Sequence, residues 1–271
     1  ESLDPVKVVR HLKNNSSINF VFATYVETST LVKHPIDKLA RQLQEHNVYL
    51  VVDAISAIAA ERCKPGEWGV DAVVGGSQKG LMTPPGLSYL TVTPELLDRS
   101  KSVSGSTYFS LEEAVKRQNE DGQTPWTPSI PLIRSLNKSL DRILDEGMEA
   151  VHDRHRCLAE ACRGAVEAIG LELFTESPSV IGTPVLVPDE IDAGRVRDTI
   201  RSNTGVYIPG GRGEWSDQLI RIGHLGHVDP FDLLSTISAL EIGFSNTPME
   251  FSSGEGVRAC QEVVLDWQAD L

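Results

Sequence analysis

Apolar and polar positions along this chain fall into blocks that predict strands and helices by turns. Asp4-Pro5 opens a helix running to about Leu12, with Asp as the N-cap and Pro at the first helical position. An apolar run then predicts a strand over residues 18–24, followed by a polar loop at 27–33 and a helix over 35–46. Residues 48–53, 70–75 and 86–92 read as three further strands. Strands and helices at these intervals predict βαβ units and a largely parallel sheet. Ligands of such sheets collect beyond the carboxyl ends of the strands.

From Ser129 to about Gly170 the pattern turns helical, with a break expected near Glu146-Gly147. Leu132, Ile133, Leu136, Leu140, Ile143 and Leu144 form one stripe of period 3.6, predicting a long helix that passes from one domain to another. Beyond it the rhythm predicts strands near 171–174, 183–187 and 219–222, with helices over 193–202, 230–242 and 256–267. The expected organisation is a large α/β domain at 1–130, a connecting helix at 131–147, a small α+β domain at 148–250 and a helical tail at 251–271. A doubly wound sheet rarely begins with a surface helix, so the large domain is expected to be incomplete on its amino-terminal side.

At 271 residues, with 40% hydrophobic and 23% charged residues, the chain can bury a sizeable core. Its net charge of −13 argues against nucleic acid or an anionic membrane as partner. No apolar run reaches the roughly 18 residues needed to span a bilayer. Cys63, Cys157, Cys162 and Cys260 lack any CxxC spacing and read as free thiols of a reducing compartment, the cytosol, with an organelle left open. The seven histidines form no zinc motif, so no metal is expected.

Chemistry enters at two strand ends. The run Val48-Tyr49-Leu50-Val51-Val52 delivers Asp53, and Ala72-Val73-Val74 leads into a Gly-Gly-Ser turn that presents Lys79. An amine and a carboxylate on neighbouring strands suit a pyridoxal phosphate site, the amine forming a Schiff base and the carboxylate keeping the ring nitrogen protonated. The spacing alone is equally compatible with a solvated surface lysine and a helix-capping aspartate. Arg221 lies inside the apolar strand Leu219-Ile220-Arg221-Ile222-Gly223, where a lone guanidinium is costly unless it meets an anion. Its planar fork suits the carboxylate of an amino or oxo acid, and a structural salt bridge is the other reading. His224, beside it, is a weaker candidate for the same pocket.

Several runs occur in a fixed order: Glu27-Thr28-Ser29-Thr30, Val52-Asp53-Ala54, Gly76-Ser77-Gln78-Lys79-Gly80-Leu81-Met82, Pro84-Pro85-Gly86-Leu87, Thr124-Pro125-Trp126-Thr127-Pro128 and Arg221-Ile222-Gly223-His224-Leu225-Gly226. Together they resemble the class V aminotransferases of pyridoxal phosphate fold type I, in particular the alanine/serine–glyoxylate group, from Asp4 to about Gly243. Cysteine desulfurases of the same class usually carry His before the lysine, where this chain has Gln78.

The resemblance implies transamination between an amino acid of the alanine or serine type and a 2-oxo acid of the glyoxylate or pyruvate type. Lys79 and Asp53 would be catalytic. Ile55 would pack on the cofactor ring, Gln78 would contact the phosphate, and Ser29 or Thr28 would set a hydroxyl beside the ring. Trp126, Thr127 and Ser129 fall where family members reach the phosphate site of a partner subunit in a homodimer. Trp126 stands where the family usually has Tyr, which removes a hydroxyl. The family's Gly/Ser-rich phosphate turn would precede Glu1, and Gly210-Gly211-Arg212-Gly213 does not open a helix as such a turn would. Competing expectations are therefore a silent or partner-dependent subunit, complemented by a separate amino-terminal chain, and a lyase on the same fold.

Overall fold

The computed structural model describes residues 1–103 and 106–269. Helix α1 (Pro5–Lys13) starts as the Asp4-Pro5 pair predicts, Asp4 Oδ1 accepting from Val6 N at 2.9 Å. It leads into β1 (Phe20–Thr24), α2 (Ile36–Leu43), β2 (Tyr49–Asp53), the single turn α3 (Pro65–Trp68), β3 (Ala72–Gly76) and β4 (Ser88–Val92). These strands make one sheet in the order β1-β2-β3-β4; the first three are parallel and β4 is antiparallel. The register sets Thr24 beside Asp53 and Asp53 beside Val74, so the carboxyl ends of three strands share one rim.

Alternation along the strands decides the two faces. Leu50 and Val52 turn inward against Leu39 and Leu43 of α2 in a buried cluster that also holds Tyr25, Val26 and Ile36. Tyr49 and Val51 point the other way, where Phe22 is 76% exposed.

The segment between the sheets holds α4 (Pro94–Ser100), α5 (Leu111–Asp121), α6 (Ile130–Glu146) and α7 (Met148–Ala168). The expected break falls at Gly147, whose φ of +88° a side chain would resist. The second sheet, β5 (Glu172–Leu173), β6 (Gly182–Leu186) and β7 (Leu219–Gly223), is antiparallel. It packs with α7, α8 (Ala193–Thr204), α9 (Pro230–Phe244) and α10 (Glu255–Ala269) around Leu158, Ile220, Ile237 and Phe244. Residues 270–271 of the expected tail lie outside the described residues.

The two sheets are tied together at one side. Val32 pairs with Pro178 in an antiparallel bridge, and Lys33 N donates to Ser177 O at 2.9 Å. Beneath this bridge Glu61, buried, accepts from Lys33 Nζ at 2.6 Å, Ser179 Oγ at 2.7 Å and Val180 N at 3.0 Å. No helix among the described residues is long and apolar enough to cross a membrane.

Candidate active site

Lys79 stands three residues beyond the end of β3 on a turn built to a tight tolerance. Ser77, fully buried, donates its hydroxyl to Pro84 O at 2.7 Å and accepts from Leu87 N at 3.3 Å. A Cβ on Gly80 would lie 2.2 Å from the carbonyl oxygen of Ile58, so only glycine fits there. Ser139 of α6 donates to Leu81 O at 2.6 Å, fastening the far side of the turn. Met82 closes it with φ +52°, its N–H bonded to Lys79 O at 2.9 Å. A non-glycine residue in that region stores backbone strain, a frequent mark of a functional loop.

The loop after β1 forms the opposite wall. Thr28 Oγ1 lies 3.0 Å from Ser56 Oγ, and Leu31, at φ +57°, closes the loop through a 2.7 Å bond to Glu27 O. Ser29, expected beside a ring, turns its hydroxyl to Glu27 Oε1 at 2.5 Å, and its N–H bonds the same oxygen. Hydrogen bonds from Ser29 hold the Glu27 carboxyl below its ordinary range. Of the two hydroxyls that sequence cannot rank, neither is left without a partner.

Arg221 brings the second sheet to this wall. Its Nε donates to Gly210 O at 2.7 Å and its Nη1 to the carbonyl of Thr28, across from the first sheet. Among the described residues Arg221 makes no ion pair, and its hydrogen bonds run through Nε and Nη1. Asp53, exposed at the end of β2, accepts from Ile55 N at 2.9 Å through one oxygen. Ile55 and Gln78 approach each other over Gly76, where a Cβ would lie 3.2 Å from Ile55 Cγ2 and 2.8 Å from Gln78 Oε1.

The electrostatics of the amine follow from this packing. Burial, then the positive charges of Arg221 and Arg212, push Lys79 below the ordinary range of an ammonium. Arg212 lies two residues beyond the Gly210 carbonyl that Arg221 holds, in the Gly-rich run that the family resemblance sets near the substrate.

The remaining candidates lie elsewhere. Trp126 is 46% exposed, stacks on Tyr108 at 5.2 Å and donates Nε1–H to Tyr108 O at 3.3 Å. Thr127 and Ser129 are exposed on the same loop, and the described contacts do not link them to Lys79. His224 is fully buried, with Nε2 3.0 Å from Thr183 Oγ1, in the core behind Arg221.

A family model described as aminotransferase class-V matches residues 2–208. The chain belongs to that family. A serine–glyoxylate aminotransferase of Hyphomicrobium methylovorum is 36% identical over 258 residues, 92% of this chain and 63% of the relative. A protein of Synechococcus sp. named the small subunit of a soluble hydrogenase is 32% identical over 90% of this chain and 64% of its own length. The solved pyridoxamine–pyruvate aminotransferase of Mesorhizobium loti superposes with a TM-score of 0.92 at 31% identity, covering all of this chain and 70% of that one. The chain thus spans about two thirds of the length of these relatives and shares the fold of the aminotransferases.

Pyridoxal phosphate, the cofactor implied by this family, needs an amine for its aldehyde, an anion for its ring nitrogen, an apolar ring contact and donors for its phosphate. The amine of Lys79, the acid of Asp53 and the side chain of Ile55 meet the first three needs, and the Gln78 amide is a donor for the fourth. The bare Cα of Gly76 leaves room between Ile55 and Gln78. The residues present fit the group.

Proposed function

We propose that this chain carries the lysine-bearing part of a pyridoxal-phosphate-dependent aminotransferase. It would move an amino group between an amino acid and a 2-oxo acid of the glyoxylate or pyruvate type. The observation that carries this reading is the bond from Arg221 of β7 to the Thr28 carbonyl of the other sheet's loop, with the Arg221 charge acting on Lys79. The names of the relatives support the reaction class. The two sheets with separate cores support a division into a large domain (1–130), a connecting helix (131–147), a small domain (148–250) and a helical tail (251–271).

When bound, pyridoxal phosphate supplies an aldehyde and an electron-withdrawing ring. Asp53 would hold the ring nitrogen protonated. Ile55 would flank the ring and Gln78 the phosphate, with Thr28 and Ser29 shaping the wall. Arg221 would grip the substrate carboxylate and so fix the α-carbon relative to Lys79. Lys79 would take the α-proton and return it on the other side of the transfer. The work requires a neutral amine, which burial and two neighbouring guanidinium groups favour.

A dimer accounts for the exposed strip Tyr108, Phe109, Trp126 and Ile130, with Trp126, Thr127 and Ser129 facing a partner's site. The exposure of Asp53 favours a second reading, a subunit that needs a complementing chain to close its site. Free thiols at all four cysteines suit the cytosol.

The test is to supply the chain with pyridoxal phosphate, glyoxylate and, in turn, alanine, serine and aspartate. Glycine should form in equal amount with the 2-oxo acid of one donor, and Lys79→Ala should abolish it. Ammonia release without glycine would point instead to a lyase, and no turnover without an added partner to a dependent subunit.

A further inference from the structure

The turn that carries Lys79 is gripped from two sides. On one side α6 reaches it through Ser139, whose hydroxyl donates to Leu81 O at 2.6 Å. On the other side lies the segment 224–228 that leaves β7. Gly226 rests on the turn so closely that a Cβ would stand 3.2 Å from Met82 Cγ and 3.8 Å from Lys79 O. Met82 beneath it holds φ +52°, a conformation that persists in a non-glycine residue only where surrounding contacts impose it.

One side chain ties the two supports together. Arg154 of α7 donates from Nε and Nη2 to the two carboxylate oxygens of Glu146, at 2.6 and 3.0 Å, and Glu146 is the last residue of α6. Its Nη1 donates to Gly226 O at 2.9 Å and to Val228 O at 3.0 Å. A planar fork can face a carboxylate with one edge and two carbonyls with the other, which an ammonium cannot. His155, next on the helix, accepts from Gly226 N through Nε2 at 3.0 Å. Both polar groups of the Gly226 backbone are thus taken by adjacent residues of α7.

These contacts close a ring that runs from the Lys79 turn to Ser139, along α6 to Glu146, through Arg154 to Gly226 and back to the turn. The α6 span between Ser139 and Glu146 is a rigid rod of about 10 Å. The Arg154 side chain is only 14% exposed, unlike the surface pairs whose contribution is slight. The segment it holds continues the strand that bears Arg221. The charges that act on Lys79 are those of Arg221 and Arg212, so Arg154 reaches the lysine through backbone contact.

We propose that Arg154 is a positioning residue for Lys79: it seats Gly226 on the lysine turn and so fixes where the amine stands relative to the strand that carries Arg221. The inference rests on the aminotransferase reading above and adds to its machinery a residue that touches neither cofactor nor substrate.

The test uses the protein supplied with pyridoxal phosphate, whose linkage to Lys79 changes its visible absorbance on protonation and gives a pH midpoint without turnover. Burial and nearby cations disfavour protonation at that nitrogen, so a loosened turn raises the midpoint. Arg154→Met should raise it by about half a pH unit and lower kcat roughly tenfold, with the KM for glyoxylate little changed. Arg154→Lys keeps the charge without the fork and should behave like Arg154→Met. Gly226→Ala leaves Arg154 in place but presses a methyl group on Met82, and it should move the midpoint too. Glu241→Gln supplies a loss of stability away from the turn, because this buried acid accepts from Gly254 N, Gly256 N and Val257 N at the start of α10. It should lower Tm and leave the midpoint where it is. An unchanged midpoint in Arg154→Met, or in Gly226→Ala should Arg154→Met not fold, overturns the inference and leaves the aminotransferase reading intact. So does a wild-type midpoint in Arg154→Lys, or an equal shift in Glu241→Gln. A wild type that forms no linkage at Lys79 removes the reading on which the inference rests.

Discussion

Glu61 shows how a single buried carboxylate can hold the loop that walls the site. It fixes Lys33, Ser179 and Val180 at once, and Lys33 lies on the strand segment leading out of the Thr28–Leu31 loop. Burial would raise its pKa, yet the Lys33 ammonium and the bonds from Lys33, Ser179 and Val180 outweigh that and hold it below the ordinary carboxylate range. The stabilisation is therefore full above the unfolded value and is lost as pH falls through the lower folded value. Glu61→Gln should cost about 2 kcal/mol at pH 7, less than a fully buried pair because Lys33 is 40% exposed. It should also flatten the acid limb of stability in urea titrations; an unchanged limb would show that Glu61 is not ionised in the fold. The places of Asp53 at a strand end, Arg221 within a strand and Lys79 on the turn after β3 were legible in the sequence from the apolar runs around them. Glu61 was not, since its partner Ser179 lies 118 residues away and leaves no local mark. Ser29 is the opposite case, its hydroxyl meeting a glutamate only two residues before it.

At the scale of elements, the turn that follows β7 depends on two neutral histidines. His155 of α7 accepts from Gly226 N through Nε2 at 3.0 Å, with Nδ1 2.7 Å from Val151 O, which fixes the neutral tautomer. His224 shares a buried bond with Thr183. Burial lowers the pKa of both, that of His224 to about 3. A base with a depressed folded pKa stabilises above its unfolded value near 6.5, and that contribution shrinks as pH falls toward the folded one. Between pH 6 and pH 5 stability should drop by roughly 1.2 kcal/mol on account of His224, which takes up its proton on unfolding. His224→Gln should remove one such step; an unchanged pH slope would mean His224 does not titrate on unfolding. The strands, the 3.6-period helices and the Gly147 break were readable from pattern. Helices α4 and α5 escaped it, although Thr93 and Ser110 cap them through Leu96 N and Glu113 N. Neither carries an apolar stripe wide enough to register, and α5 buries no residue.

At the scale of the whole molecule, the fold brings two sheets with separate cores together, so that Arg221 of β7 bonds the Thr28 carbonyl and its charge acts on Lys79. The parallel order of β1 to β3 and the antiparallel second sheet followed from element rhythm. The meeting of Arg221 with Thr28, 193 residues apart, is a property of the assembled chain alone. So is the lowered basicity of Lys79, because it depends on Arg221 and Arg212 from the other sheet. The assembled protein should therefore make this one lysine far more reactive toward an aldehyde at neutral pH than exposed Lys7, Lys13 or Lys138. Incubation with pyridoxal phosphate at pH 7, borohydride reduction and peptide mass mapping tests this directly. The account predicts a phosphopyridoxyl group on the peptide containing Lys79, lost in Lys79→Ala and weakened in Asp53→Asn. Label spread over the surface lysines with Lys79 unmodified would contradict it.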